Sequence, residues 1–391
     1  MRSSVIISAL VAVLVGFGGS VAVVLAAAQS VGATPEQTSS WIAALCVAMA
    51  CTTGFLSVHH RLPIVTAWST PGAALVATTS GVSMSTAVGA FLLYGVLVLL
   101  TAAFRPLNTL IEKIPASIAS AMLAGVLFGF VVAIFGHIPE TPYLVLPLLV
   151  AFVLLRPFSP AWAVLAVLAL GVVLSSWLGL TQPLGPMGIT TFVFVRPEFD
   201  PATLVGLGIP IYLVTMASQN LPGFAVLRSA GYPVPSRSIL TVTGLASLAT
   251  AMAGAHTINL AAITASICTG ADAHPDKDKR WLCGPFYAAG YAILAVFGAS
   301  VVTVFASFPQ ALVATVAGIA LAGPLLGALS AALEAKTDRF AAVATFCVTA
   351  AGLTAFGIGS AFWGLLAGLF VYGVDRLFAG HTDDRDAKQE A

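Results

Sequence analysis

Ile64-Val65-Thr66-Ala67-Trp68-Ser69-Thr70-Pro71-Gly72-Ala73 changes character halfway along. Its first part is β-branched, which favours extended backbone. Thr70 then suits an N-cap and Pro71 the first helical position. Gly254-Ala255-His256-Thr257-Ile258-Asn259-Leu260-Ala261 has a similar build later in the chain, with Asn259 as the N-cap. Helices over 71–81 and 259–270 would be about 16–18 Å long, roughly half the ~30 Å apolar core of a bilayer. The expectation is two half-helices, in the third and tenth apolar segments, each starting near the membrane centre after a short extended strand. The alternative is two kinked helices whose polar residues serve packing.

The rest of the chain supplies the membrane. Of 391 residues only 16 are Lys or Arg and 15 Asp or Glu, while 59% are hydrophobic and mean hydropathy is +1.01. A soluble fold of this length cannot bury so much apolar side chain. A net charge of +1 leaves no basic surface for a phosphate backbone, so no nucleic-acid partner is expected. Neither 62–104 nor 281–333 contains a charged residue, and each is long enough for two spans of about 20 residues. Cutting at charges, prolines and glycine clusters gives fourteen transmembrane segments, at 5–28, 40–58, 64–80, 86–103, 116–135, 143–155, 161–179, 203–222, 238–253, 255–270, 283–306, 310–332, 340–356 and 361–377. The fold class is thus an all-α polytopic membrane protein.

With the N-terminus in the cytoplasm, fourteen crossings place every Lys and Arg on the inside except Arg196. This positive-inside bias puts both termini in the cytoplasm. Arg2, a long apolar run and Ala26-Ala27-Ala28 also permit a signal-peptide reading, but the run exceeds the usual h-region of about 7–15 residues. Cys46, Cys51, Cys268, Cys283 and Cys347 form no Cys-x-x-Cys pair and read as buried apolar residues. His137-x-x-Glu140 has no companion ligands, so no metal, cofactor or enzymatic centre is expected.

The chain also repeats. Residues 114–129 (IPASIASAMLAGVLFG) match 308–323 (FPQALVATVAGIALAG), 73–78 match 261–266, and Trp162 with Gly171 matches Trp363 with Gly373. The matches keep their order, which suggests a duplication with halves at 1–195 and 200–391. Seven crossings per half invert the second repeat, as in many secondary transporters whose site lies at the midplane. Inversion makes the half-helix N-termini face one another. Their unpaired N–H groups and positive dipole ends, near Ser69–Gly72 and Asn259, would hold a small carboxylate without Lys or Arg.

Other polar residues gather in matching places. Thr215, Ser218, Gln219 and Asn220 lie in the eighth segment, where side-chain amides are costly unless partnered. They offer either ligand contacts or bonds between helices. Gly16-Phe17-Gly18-Gly19-Ser20 lies in the first segment; Phe17 faces a ring-shaped ligand or packs in the core. His256 is the histidine at the expected midplane, which makes it the candidate for proton coupling or a neutral ligand contact. Gly125-x-x-x-Gly129, Gly323-x-x-x-Gly327 and Gly364-x-x-x-Gly368 permit tight helix packing, within the chain or in a homodimer.

Residues 219–232 (QNLPGFAVLRSAGY), 254–265 (GAHTINLAAITA) and 357–364 (GIGSAFWG) resemble the benzoate/proton symporter family of bacteria. The resemblance covers most of the chain. It implies a seven-plus-seven fold like that of uracil and sulfate transporters, with a core domain (segments 1–4 and 8–11) moving against a gate domain (segments 5–7 and 12–14). It further implies proton-coupled uptake of benzoate or a similar aromatic carboxylate across the bacterial cytoplasmic (inner) membrane by alternating access. In related uracil carriers the ligand lies between segments one, three, eight and ten. Here that region holds Phe17, Ser69, Thr70, Gly72, Gln219, Asn220, His256, Thr257 and Asn259. Uracil carriers use an acidic residue in segment eight. Gln219 and Asn220 stand in the matched region, which suits an anionic substrate. A passive anion channel of the same fold is the alternative.

Overall fold

The computed structural model describes residues 3–389 apart from 105–114, 159, 186, 354, 357 and 359. Arg2, the Arg and Lys of 105–114 counted in the charge bias, and Gly357 and Gly359 of the quoted 357–364 motif lie outside the described residues. Helix α1 (Ser3–Gly18) runs into α2 (Val21–Ser30), and α3 (Pro35–His60) follows. A capping box starts α3: Thr34 Oγ1 accepts from Gln37 N, and Gln37 Oε1 accepts from Thr34 N. Strand β1 (Thr66–Ala67) leads into the short helix α4 (Thr70–Ala77), then come α5 (Met84–Ala103), α6 (Ala116–Gly136), α7 (Pro142–Leu155) and α8 (Pro160–Trp177).

After an irregular stretch, α9 (Pro201–Arg228) carries two π-helical turns, Leu204–Gly208 and Met216–Asn220. Helix α10 (Ser236–Ala251) is followed by strand β2 (Asn259–Leu260) and the short helix α11 (Ile263–Thr269). Next come α12 (Cys283–Val296) and α13 (Gly298–Ala306), with a bend of 62° at their junction. Helices α14 (Gln310–Glu334), α15 (Arg339–Ala350) and α16 (Ser360–Gln389) complete the described chain.

Among the described residues, six helices are long and apolar enough to cross a membrane: Ser4–Ser30, Pro35–His60, Met84–Ala103, Ala116–Gly136, Pro201–Arg228 and Gln310–Glu334. The bent α12–α13 pair makes a seventh. Outer faces are apolar both on these spans and on the shorter apolar helix α7: Ile7, Leu10 and Leu14 on α1, and Val150, Val153 and Leu154 on α7, are exposed. In water such continuous faces would be a liability; against lipid they match the solvent.

Two groups of helices pack around the polar centre. In one, α3 lies along α12, α5 along α10, and α1 against α11 and α12. In the other, α6 packs along α14, α15 against α6 and α16, and α8 against α7 and α14. The α6–α14 pair is built from the two stretches that repeat in the sequence. Gly318 is required there, because a Cβ would lie 2.6 Å from the Phe130 carbonyl oxygen. Of the three Gly-x-x-x-Gly motifs, Gly364 and Gly368 pack on Thr349 and Thr345 of α15, and Gly125 also packs on Thr349. A Cβ on Gly129, Gly323 or Gly327 would meet nothing within 4 Å.

The short helices differ from expectation in their limits. Helix α4 has 8 residues rather than spanning 71–81, about 12 Å at ~1.5 Å per residue. It stops because Thr78 and Thr79 both turn their hydroxyls back to the Leu75 carbonyl, and Gly81 then takes a φ of +74°. Helix α11 has 7 residues and begins at Ile263, not Asn259. Residues 259–260 are taken up by pairing with β1, which leaves them unable to start a helix.

Candidate functional site

The extended stretches meet. Strands β1 and β2 pair antiparallel, Thr66 opposite Leu260 and Ala67 opposite Asn259, with Ala261 N donating to Val65 O at 2.9 Å. Non-helical backbone deep among membrane helices needs a partner for each polar group. Neighbouring helices supply several. Thr66 N donates to Thr53 Oγ1 at 2.9 Å, and Tyr287 Oη donates to Thr66 O at 3.0 Å. Leu260 N donates to Asn220 Oδ1 at 2.9 Å. Ile258 N donates to Ser247 Oγ at 2.9 Å, and Tyr94 Oη donates to Ile258 O at 3.1 Å. Asn220 is therefore spent on holding β2.

Ser69 joins β1–α4 to the segment 256–257 and is fully buried. It, not Thr70, caps α4: Ser69 Oγ accepts from Gly72 N at 2.9 Å. Thr70 becomes the first helical residue because Ser69 is the one in extended conformation. Thr215 Oγ1 of α9 also donates to Ser69 Oγ, at 2.9 Å. Ser69 N donates to Thr257 Oγ1 at 3.0 Å, and Ser69 O accepts from Ala73 N at 2.8 Å. His256 Nε2 lies 3.0 Å from the same carbonyl, and Trp41 Nε1 donates to His256 Nδ1 at 3.1 Å.

Asn259 is no cap. Its Nδ2 donates to Leu260 O at 3.0 Å, and its buried Oδ1 has no partner among the described residues. Ala262 occupies the cap position of α11 and makes no side-chain capping bond. Gln219 lies in the π-helical turn Met216–Asn220, which packs on β2. Its half-buried side chain has no hydrogen-bond partner among the described residues, whereas Ser218 Oγ donates to Val214 O at 2.6 Å. Such wide turns free backbone groups and recur at functional sites. Phe17 stacks edge-on to Trp68 at 5.7 Å, and Trp68 Nε1 donates to Ser20 Oγ at 2.9 Å.

Ser69, Gly72, His256 and Thr257 are thus joined by direct bonds, and Asn220 and Asn259 belong to the β2 frame. Phe17 adjoins through Trp68. Thr70 and Gln219 border the frame with uncommitted side chains. Trp41, Thr53, Thr66 and Ser247 were missed by sequence reasoning, whereas Thr215, named in the polar cluster of the eighth segment, makes one of the bonds between helices. The signal was there for two: a Trp inside an apolar span needs an acceptor for its N–H, and Thr52-Thr53 put adjacent hydroxyls in one. The field at the site comes from neutral dipoles. The one ion pair among the described residues, Lys279–Asp276 at 3.1 Å, lies in a loop, where the lysine hydrogen bond holds the Asp276 carboxyl below its ordinary range. Among the described residues no group of three His, Cys, Asp or Glu gathers to hold a metal.

Known proteins share this build. Residues 1–374 match the family model described as benzoate membrane transport protein. The inner membrane protein YdcO of Escherichia coli is 38% identical over 382 residues, covering 96% of each chain. The benzoate membrane transport protein of Acinetobacter baylyi is 36% identical over 372 residues, 94% of each. Among solved structures, SLC26A9 superposes with a TM-score of 0.65 at 13% identity, over 96% of this chain and 66% of that one. The transmembrane domain of the cyanobacterial bicarbonate transporter BicA gives 0.63 at 13% identity, over 94% and 97%. At such identity the two structures speak for the polytopic membrane fold alone.

Proposed function

The chain belongs to the benzoate membrane transport protein family, and from that membership we propose that it takes up benzoate or a similar aromatic carboxylate, driven by protons, through alternating access. The observation that carries the reading is the β1–β2 crossing, from which α4 and α11 both lead off amid neutral hydrogen-bonding groups. A lone carboxylate needs such donors where no cation is at hand. In this reading it meets the first-turn N–H groups of α11, with Thr70 and the uncommitted Gln219. The ring lies against apolar side chains including Phe17. Ser69, Gly72, Asn220, Thr257 and Asn259 hold the frame and shape the pocket.

The fourteen expected segments each coincide with one helix, one consecutive helix pair or one strand–helix unit. We read them as fourteen crossings in two inverted repeats, 1–195 and 200–391, with both termini in the cytoplasm. The first packing group, with the two short helices and α9, is the core domain; the second is the gate. The name of the Escherichia coli relative supports placement in the inner membrane. Uptake of labelled benzoate by proteoliposomes under an imposed pH gradient tests the proposal. It predicts saturable accumulation above the outside concentration, displaced by related aromatic acids. Equilibration without accumulation would instead mark a passive anion channel.

A further inference from the structure

His256 is fully buried and has both ring nitrogens engaged. An indole N–H donates and cannot accept. The nitrogen facing Trp41 Nε1 at 3.1 Å, Nδ1, must therefore present its lone pair. The ring proton then sits on Nε2, which lies 3.0 Å from a group that can only accept, the Ser69 carbonyl. Two independent contacts agree on one neutral tautomer. A cation would need a second proton on Nδ1, setting two N–H donors against each other in a closed space.

The surroundings offer such a cation nothing. The rings against the imidazole are Trp41 of α3 and Phe91 of α5, at centroid distances of 5.8 and 6.3 Å. Tyr94, on the same helix as Phe91, spends its hydroxyl on Ile258 O. The Ser69 carbonyl completes the contacts from the β1–α4 side. No Asp, Glu, Lys or Arg occurs in 37–60, 62–104 or 238–271, the segments packed here.

We propose that Trp41 is a positioning residue that holds His256 neutral, so that the proton accompanying the substrate does not reside on this imidazole. The paired His256 and Thr257 act as a pin. They grip the carbonyl and N–H of Ser69 and fix the start of α4 in one repeat to the β2 loop of the other. The role in transport rests on the substrate reading above; the tautomer does not.

NMR of isotope-labelled histidine in the purified full-length protein reads the tautomer without substrate, with the His256 signal assigned by its loss in His256→Gln. A neutral Nε2–H ring that persists into mildly acid solution is expected; a ring that becomes a cation there overturns the proposal. In proteoliposomes His256→Gln, which supplies one donor and one acceptor but does not titrate, still couples benzoate accumulation to a pH gradient, whatever its rate. Exchange without accumulation in that variant overturns it. Trp41→Phe keeps an aromatic ring and removes the N–H. It loses uptake toward acid pH, where the freed Nδ1 gains a proton, and recovers it as pH rises. The added His256→Gln change abolishes that acid loss. An acid limb like that of the wild type in Trp41→Phe overturns the role of Trp41. If the wild type accumulates no benzoate, the substrate reading falls, and the NMR spectra still decide the histidine.

Discussion

Two short helices start at the same strand crossing, and their first turns are finished differently. At α4 a side-chain cap is in place: Gly72 N donates to Ser69 Oγ, Ser69 N donates to Thr257 Oγ1, and Pro71 has no N–H to satisfy. Thr215 of α9 and His256 close on the same serine. At α11 the cap position is Ala262, which offers its first-turn N–H groups no side-chain acceptor. The two strand–helix units share a backbone plan and differ in how their first turns are capped. One entrance is tied down and gives the site its rigidity. The other has no side-chain cap, and in the proposed reading it is the end that receives the anion.

Removing the tie should have the largest effect. Ser69→Ala deletes the cap, about 1 kcal/mol, and leaves Thr215 without its buried acceptor, roughly 1–3 kcal/mol more. Thermal unfolding in detergent should show marked destabilisation with loss of uptake. Wild-type stability would mean the α4 start is not the rigid entrance.

Gln219→Leu probes the open side. Gln219 bonds nothing in the described protein, so stability should hold while benzoate affinity falls. A hydrogen bond to a charged group is worth about 1.5–3 kcal/mol, so a loss of roughly tenfold or more is expected by calorimetry. Unchanged affinity would remove Gln219 from the site.

Asn259→Ala should do less than a cap deletion. It forfeits one short-range bond to Leu260 O, a net contribution of about 1 kcal/mol or less, and removes an acceptor that had no partner. A loss of stability as large as that of Ser69→Ala would contradict the assignment of Asn259 to the strand frame.

Much of this was legible in the sequence. The β-branched run before Ser69, the Pro71 start and the matched Gly254–Ala261 segment announced two short helices after extended backbone. The clustering of polar residues in a chain of 8% charge announced where the buried hydrogen-bond network lies. What stayed hidden depends on contacts between distant residues. The choice of Ser69 over Thr70 as cap turns on which residue takes the extended conformation. The true start of α11 is set by β1, which lies far away in sequence. Trp41 looked like an ordinary core aromatic, because its meaning lies in the imidazole 215 positions later. The π-helical turn under Gln219 leaves no mark in the apolar pattern, since all its neighbours remain helical.

The most direct test is the structure of the protein with benzoate bound. The account predicts the carboxylate within hydrogen-bonding distance of the first-turn N–H groups of α11, with the Gln219 side chain turned toward it and the Ser69–His256–Trp41 chain intact. A carboxylate bound away from the β1–β2 crossing, or one that displaces Ser69 from Gly72 N, would contradict it.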